Sequence, residues 1–172
     1  MKRPRAAREL AITTWAVAGV ALMLVEAVVR MGTRTMHLLR DGLAPPAWTA
    51  LVVVVALFCY GEGYHALQKR FVPRVVARAV AFAETASGCL PLLGAPLFAL
   101  GLVGASRREL LRAWLGVILI VVAIMGVRTL PSPWRAIVDA GVTAALAWGL
   151  VALVVALARI VVNGTGQLGF RC

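Results

Sequence analysis

Acidic residues are scarce in this chain, with seven Asp and Glu against 18 Lys and Arg in 172 positions. Charged residues of both signs make up 15%, well short of the roughly 25% of an ordinary soluble domain. So few carboxylates leave a di-iron bundle site or a magnesium-binding aspartate cluster without its ligands. Histidine occurs twice, as His37 and His65, and the three cysteines, Cys59, Cys89 and Cys172, show no CxxC pair or metal-ligand spacing. No metal and no cofactor are therefore expected. The chain also lacks a Gly-x-Ser-x-Gly elbow, a His-Glu-x-x-His pair and a phosphate-binding glycine loop. The sequence names no reaction, and the reading leans away from an enzyme.

Apolar residues fill the space that charge leaves. They make up 62% of the chain, with a mean hydropathy of +0.91, and gather into runs near the 20 residues that cross about 30 Å of hydrocarbon. The expected fold is an all-α integral membrane bundle. A net charge of +11 would suggest nucleic acid in a soluble protein, but here Lys and Arg sit at the ends of apolar runs. That placement suits cytoplasmic loops and anionic lipid head groups, and no nucleic-acid partner is expected.

Six helices are expected, at about 11–29, 47–67, 72–87, 92–105, 110–127 and 136–158, within one membrane domain over 1–162. Asn163 to Cys172 reads as a flexible cytoplasmic tail. Lys2, Arg3, Arg5 and Arg8 precede the first run, which is longer than a signal-peptide core and reads as an anchor. Pro45-Pro46 restarts the chain before the second run. The third and fourth runs are short, and basic-residue bias decides how they are used. If they form a hairpin, all 18 Lys and Arg except Arg30, Arg34, Arg40, Arg128 and Arg135 lie inside. One broken span in their place leaves almost no bias. The expectation is thus four full spans plus a short central hairpin, spanning or re-entrant, with both termini cytoplasmic. Ala/Val/Arg-rich usage points to a bacterial inner membrane.

The polar residues within the runs are the functional candidates. Cys59, Glu62, His65 and Lys69, at steps of three, three and four, share one face of an α-helix. Glu62 and His65 then make either a boundary pair within reach of water and Lys69 or a proton-linked, substrate-contacting pair. Gly61 and Gly63 beside them suggest close packing against the backbone. A second stripe, Glu26, Arg30, Arg34, His37 and Asp41, follows if the first helix continues past the outer surface. Asp139 is expected at a depth comparable with Glu26, near Arg30, Arg128 or Arg135. Lys69, Arg70, Arg74 and Arg78 form a basic stripe suited to anionic lipid or a partner's acidic loop at the inner leaflet. Glu84, deeper in the same stretch, calls for protonation or an ion partner. Gly101 and Gly104 are expected as helix-packing positions.

Three functions remain open at this level. The leading one is a small polytopic protein without its own chemistry, a subunit or scaffold packing with copies of itself or with other membrane proteins. The second is an ion-, proton- or solute-permeation unit using Glu62, His65 and Glu84. The third is a lipid-processing enzyme with His65 as general base and Arg74 and Arg78 on the phosphate.

Overall fold

A computed structural model of the chain describes residues 3–85, 90–103, 107–131 and 133–163. These are helical throughout apart from short turns, and no strand occurs among them. The elements are α1 (Arg3–Asp41), α2 (Pro45–Phe58), a π-helical segment (Cys59–Phe71), α3 (Val72–Thr85), α4 (Leu90–Ala99), α5 (Arg107–Arg128) and α6 (Trp134–Asn163). Four helical runs are long and apolar enough to cross a membrane: Ala7–His37, Pro45–Thr85, Leu110–Arg128 and Trp134–Val162. The chain is therefore built as an integral membrane protein. At 14 and 10 residues, α3 and α4 are about 21 and 15 Å long, each too short to span on its own.

Local sequence sets the turn between the first two helices. Gly42, at φ 81°, takes the left-handed conformation that ends α1. Pro45 and Pro46 then occupy the first turn of α2, where a missing N–H costs nothing. The amides of Ala47 and Trp48 close that turn on the carbonyl of Ala44, at 2.9 and 3.3 Å.

α6 is the central strut. Ile137 and Ala140 pack on Ala47 and Leu51 of α2, with Leu39 of α1 alongside. Further along, Gly141 meets Val54 and Phe58, Trp148 meets Gly63, and Gly149 meets Leu67. The run from α2 through the π-helical segment therefore lies parallel to α6. α1 runs the opposite way, with Gly32 against Thr143 and Ile12, Ala16, Val17 and Val20 in one core with Leu153 and Ile160. The N-terminal part of α1 and the C-terminal part of α6 share one end of the bundle. α3 and α4 pack there on α1 through Val75, Val76, Ala79, Ala95 and Ala99, all buried. Phe82 and Phe98 close the contact between the two short helices, their rings 4.7 Å apart. Their connection, 86–89, with Cys89, falls outside the described residues.

Two expectations about elements are revised, and a third feature was not anticipated. α1 runs well beyond 29, to Asp41. The break expected between helices at 47–67 and 72–87 is absent, because the π-helical segment joins α2 to α3. Pro73 sits where the wide ladder resets to the α pattern, and a residue without an N–H eases that change. The third finding concerns α5. Every residue from 117 to 126 is exposed, and the helix touches the rest of the bundle only lightly, against α6. The tail beyond Asn163 lies outside the described residues.

Candidate functional site

Glycine punctuation and a change of helical ladder build the densest polar region. In the π-helical segment the ladder closes from residue i to i+5, so residues four and five apart stack instead of three and four. The amide of Cys59 still closes the α pattern on Val55, whereas at the far end the amide of Val72 reaches back five residues to Leu67. Tyr60, Tyr64, His65 and Lys69 consequently come together. The Tyr60 and Tyr64 rings are stacked at 6.2 Å. The His65 imidazole stands edge-on to both, at 4.9 and 5.2 Å. Lys69 Nζ lies 4.4 Å from the centre of the Tyr64 ring, a cation–π contact contributing about 0.5–1 kcal/mol when exposed.

The same ladder separates Glu62 from His65. The shared face expected for Cys59, Glu62, His65 and Lys69 presupposes α geometry. In the wider turn Glu62 moves off that face and is exposed, while His65 is half-buried between the tyrosines. The sequence reading missed this cluster because hydrophobic periodicity carries no mark of a π ladder. The paired glycines were the one available signal. Of the two, Gly63 has the expected close neighbour: a Cβ there would lie 3.1 Å from Trp148 Cβ, whereas Gly61 faces open space. Beside that contact Trp148 Nε1 donates to Gln68 Oε1 at 2.7 Å. A mid-helix indole thereby has a polar partner where lipid offers none.

The basic stripe divides. Lys69, Arg70 and Arg74 are exposed, but Arg78 turns inward and its Nη1 donates to the carbonyl of Leu100 at 3.2 Å. That carbonyl belongs to the end of α4, where Gly101 adopts φ 75° and the guanidinium lies across it. Gly101 is thus a helix terminator seated under Arg78, and Gly104 lies outside the described residues. A charged hydrogen bond of this kind contributes roughly 1.5–3 kcal/mol. Arg78→Ala is expected to lower the thermal midpoint by several degrees and to speed proteolysis after Gly101, whereas Arg74→Ala changes neither. Equal cleavage in the two variants would refute the capping role.

The remaining carboxylates do not converge. Glu84 is exposed on α3, away from the buried face formed by Val75, Val76, Ala79 and Ala83. Asp139 is buried, at 6% exposure, on the side of α6 that carries Thr143 toward α1. The Thr143 hydroxyl donates to the Asp139 carbonyl at 2.7 Å. Glu26 is exposed and does not share the depth of Asp139. Counting in opposite directions from the contact of Gly32 with Thr143 places the two about 15 Å apart along the axis, at 1.5 Å per residue. Glu26 comes level with Gly149, and so with Trp148 and Gly63. Among the described residues no three His, Cys, Asp or Glu side chains gather as a metal-binding group.

No protein-family model matches the chain, and no curated protein or solved structure is significantly similar to it. Functional inference rests on this geometry.

Proposed function

We propose that the chain is a small polytopic inner-membrane protein acting as a non-catalytic subunit or scaffold of a homo- or hetero-oligomeric membrane assembly. The observation that carries this reading is the direction of its polar side chains. Glu26, Arg30, Glu62, Lys69, Arg70, Arg74 and Glu84 are all exposed, and Glu62, His65 and Glu84 do not meet. Charged groups at membrane depth that face away from their own bundle suit contacts with other chains and with lipid head groups better than an internal path. An α5 of membrane-spanning length with almost no packing of its own suits the same role.

The orientation proposed has both termini in a bacterial cytoplasm, with four spans and the α3–α4 hairpin at the inner side as the fifth and sixth helices. Arg8, Arg70, Arg74 and Arg159 gather toward the end of the bundle shared by the start of α1 and the end of α6, in keeping with the positive-inside bias. Anionic lipids of the inner leaflet are the proposed partners of Lys69, Arg70 and Arg74.

Flux measurements separate this reading from a permeation unit. Proteoliposomes containing the purified protein are expected to pass neither protons nor monovalent ions above the lipid background between pH 5 and pH 8. A pH-dependent flux abolished by Glu62→Gln or His65→Ala would overturn the subunit reading.

A further inference from the structure

The outer face of α1 carries a second polar seam whose position in the bundle is costly for a lone chain. Glu26, Arg30, Thr33, His37 and Arg40 recur at steps of four, three, four and three, the spacing of a coiled-coil seam. All five are exposed. Leu24, Val28, Met31, Gly32 and Thr35, on the other side of the helix, are half-buried and include the contact with α6. The seam therefore points directly away from the chain's own core.

The depth of the seam follows from its neighbours. α2 carries no charged residue and exposes Val52, Val53 and Leu57. It packs on the same turns of α6, from Ile137 to Gly141, that lie opposite the outer half of α1. Thr33, Arg30 and Glu26 all lie within the candidate span Ala7–His37, Thr33 level with α2 and Glu26 level with Gly149 and Leu67, toward the inner side. Among the described residues the side chains of Glu26 and Arg30 make no ion pair or hydrogen bond, and the Thr33 hydroxyl donates only to the Arg30 carbonyl. Charged side chains within a span cost up to roughly 2.5–3.5 kcal/mol each on insertion scales unless something polar covers them.

We propose that this face of α1 is the contact with a second copy of the chain, α1 against α1, about a two-fold axis along the membrane normal. Both copies enter the membrane in the same direction, so a residue meets its own counterpart and the one a turn away. Glu26 of each copy then reaches Arg30 of the other, and the two reciprocal pairs leave this part of the seam neutral. Thr33 and His37 add polar layers above them. Arg40, at the outer end of the helix, extends to the head groups. The charge pattern is self-complementary at Glu26 and Arg30, which is what selects a second copy over an unrelated apolar helix. The inference rests on the subunit reading above and names its interface.

Charge reversal and cross-linking test it on the full-length protein in native membranes, with Cys59, Cys89 and Cys172 replaced by alanine. Thr33→Cys is expected to give a disulfide-linked species of twice the chain mass, at least tenfold more than Leu57→Cys on α2 or Ile118→Cys on α5. Glu26→Arg or Arg30→Glu alone should cut that cross-linking at least tenfold, and the double reversal should restore it, a rescue that a folding defect does not produce. Absent cross-linking at Thr33 with the protein still in a larger complex overturns this interface and leaves the subunit reading standing. A monomer in both assays overturns both. Cross-linking at Thr33 that ignores the reversals overturns the charge pairing.

Discussion

Leucine in place of Gly149 drives α6 away from the π-helical segment and lowers the unfolding free energy in detergent by about 3 kcal/mol. A Cβ at Gly149 would stand 2.6 Å from Leu67 Cδ1, 3.0 Å from its Cβ and 3.2 Å from its Cγ. A new rotamer moves the first of these atoms but not the Cβ, so the two backbones must separate. In lipid no hydrophobic gain compensates, because helix association there depends on close packing itself. Separation also removes the seat of Trp148 on Gly63 and stretches its hydrogen bond to Gln68. For a chain of this length the loss corresponds to a fall in thermal midpoint of about 6–12 °C. Gly116→Leu on α5, where nothing lies within 4 Å, serves as the control and should leave the midpoint unchanged. A Gly149→Leu variant as stable as that control would show that α6 does not sit against Leu67.

A comparable loss is expected from Gly19→Leu, through a harder obstacle. The side chain at position 19 would run into the ring of Pro96, which cannot rotate aside. Gly19 and Pro96 are how α4 lies down on α1, with Ala95 and Ala99 buried on either side. The expected result is release of α4 from α1 at a cost of about 3 kcal/mol, with the α2–α6 contact kept. Thiol labelling reads this locally. A cysteine at Ala99, 1% exposed in the native chain, should label at least tenfold faster when Gly19→Leu is present. Pro96→Ala should recover part of the difference by opening space opposite position 19. Labelling that ignores Gly19→Leu would place α4 elsewhere.

How much of this could be read in advance depended on whether the signal was local. Long apolar runs reveal themselves, so the four spans lay close to where composition placed them, and two short runs between Val72 and Ala105 stood out as too brief to cross. Gly63 was legible too, because a glycine inside an apolar helix invites close packing. What escaped was the ladder. Glu62 and His65 look like a pair only at 3.6 residues per turn, and nothing in their types announces the wider π turn that sets His65 edge-on to Tyr60. Register between helices was equally invisible. Only the seating of Thr143 on Gly32 shows that Asp139 and Glu26 stand on different levels. Arg78 belonged by charge to the lipid-facing stripe, yet its guanidinium serves the C-terminus of α4. A sequence gives the reach of an arginine but not the carbonyl it finds.

The exposed seam of α1 and the unpacked α5 both follow from one proposition, that this chain completes its packing with other chains. The mass of the protein extracted from its own membrane in a gentle detergent, with lipids and partners retained and measured by native mass spectrometry, tests that most directly. The account predicts a stoichiometric complex heavier than the 18.2 kDa single chain, held at nanomolar protein concentration and lost when Glu26 is reversed to arginine. A lone chain carrying only lipid would contradict it.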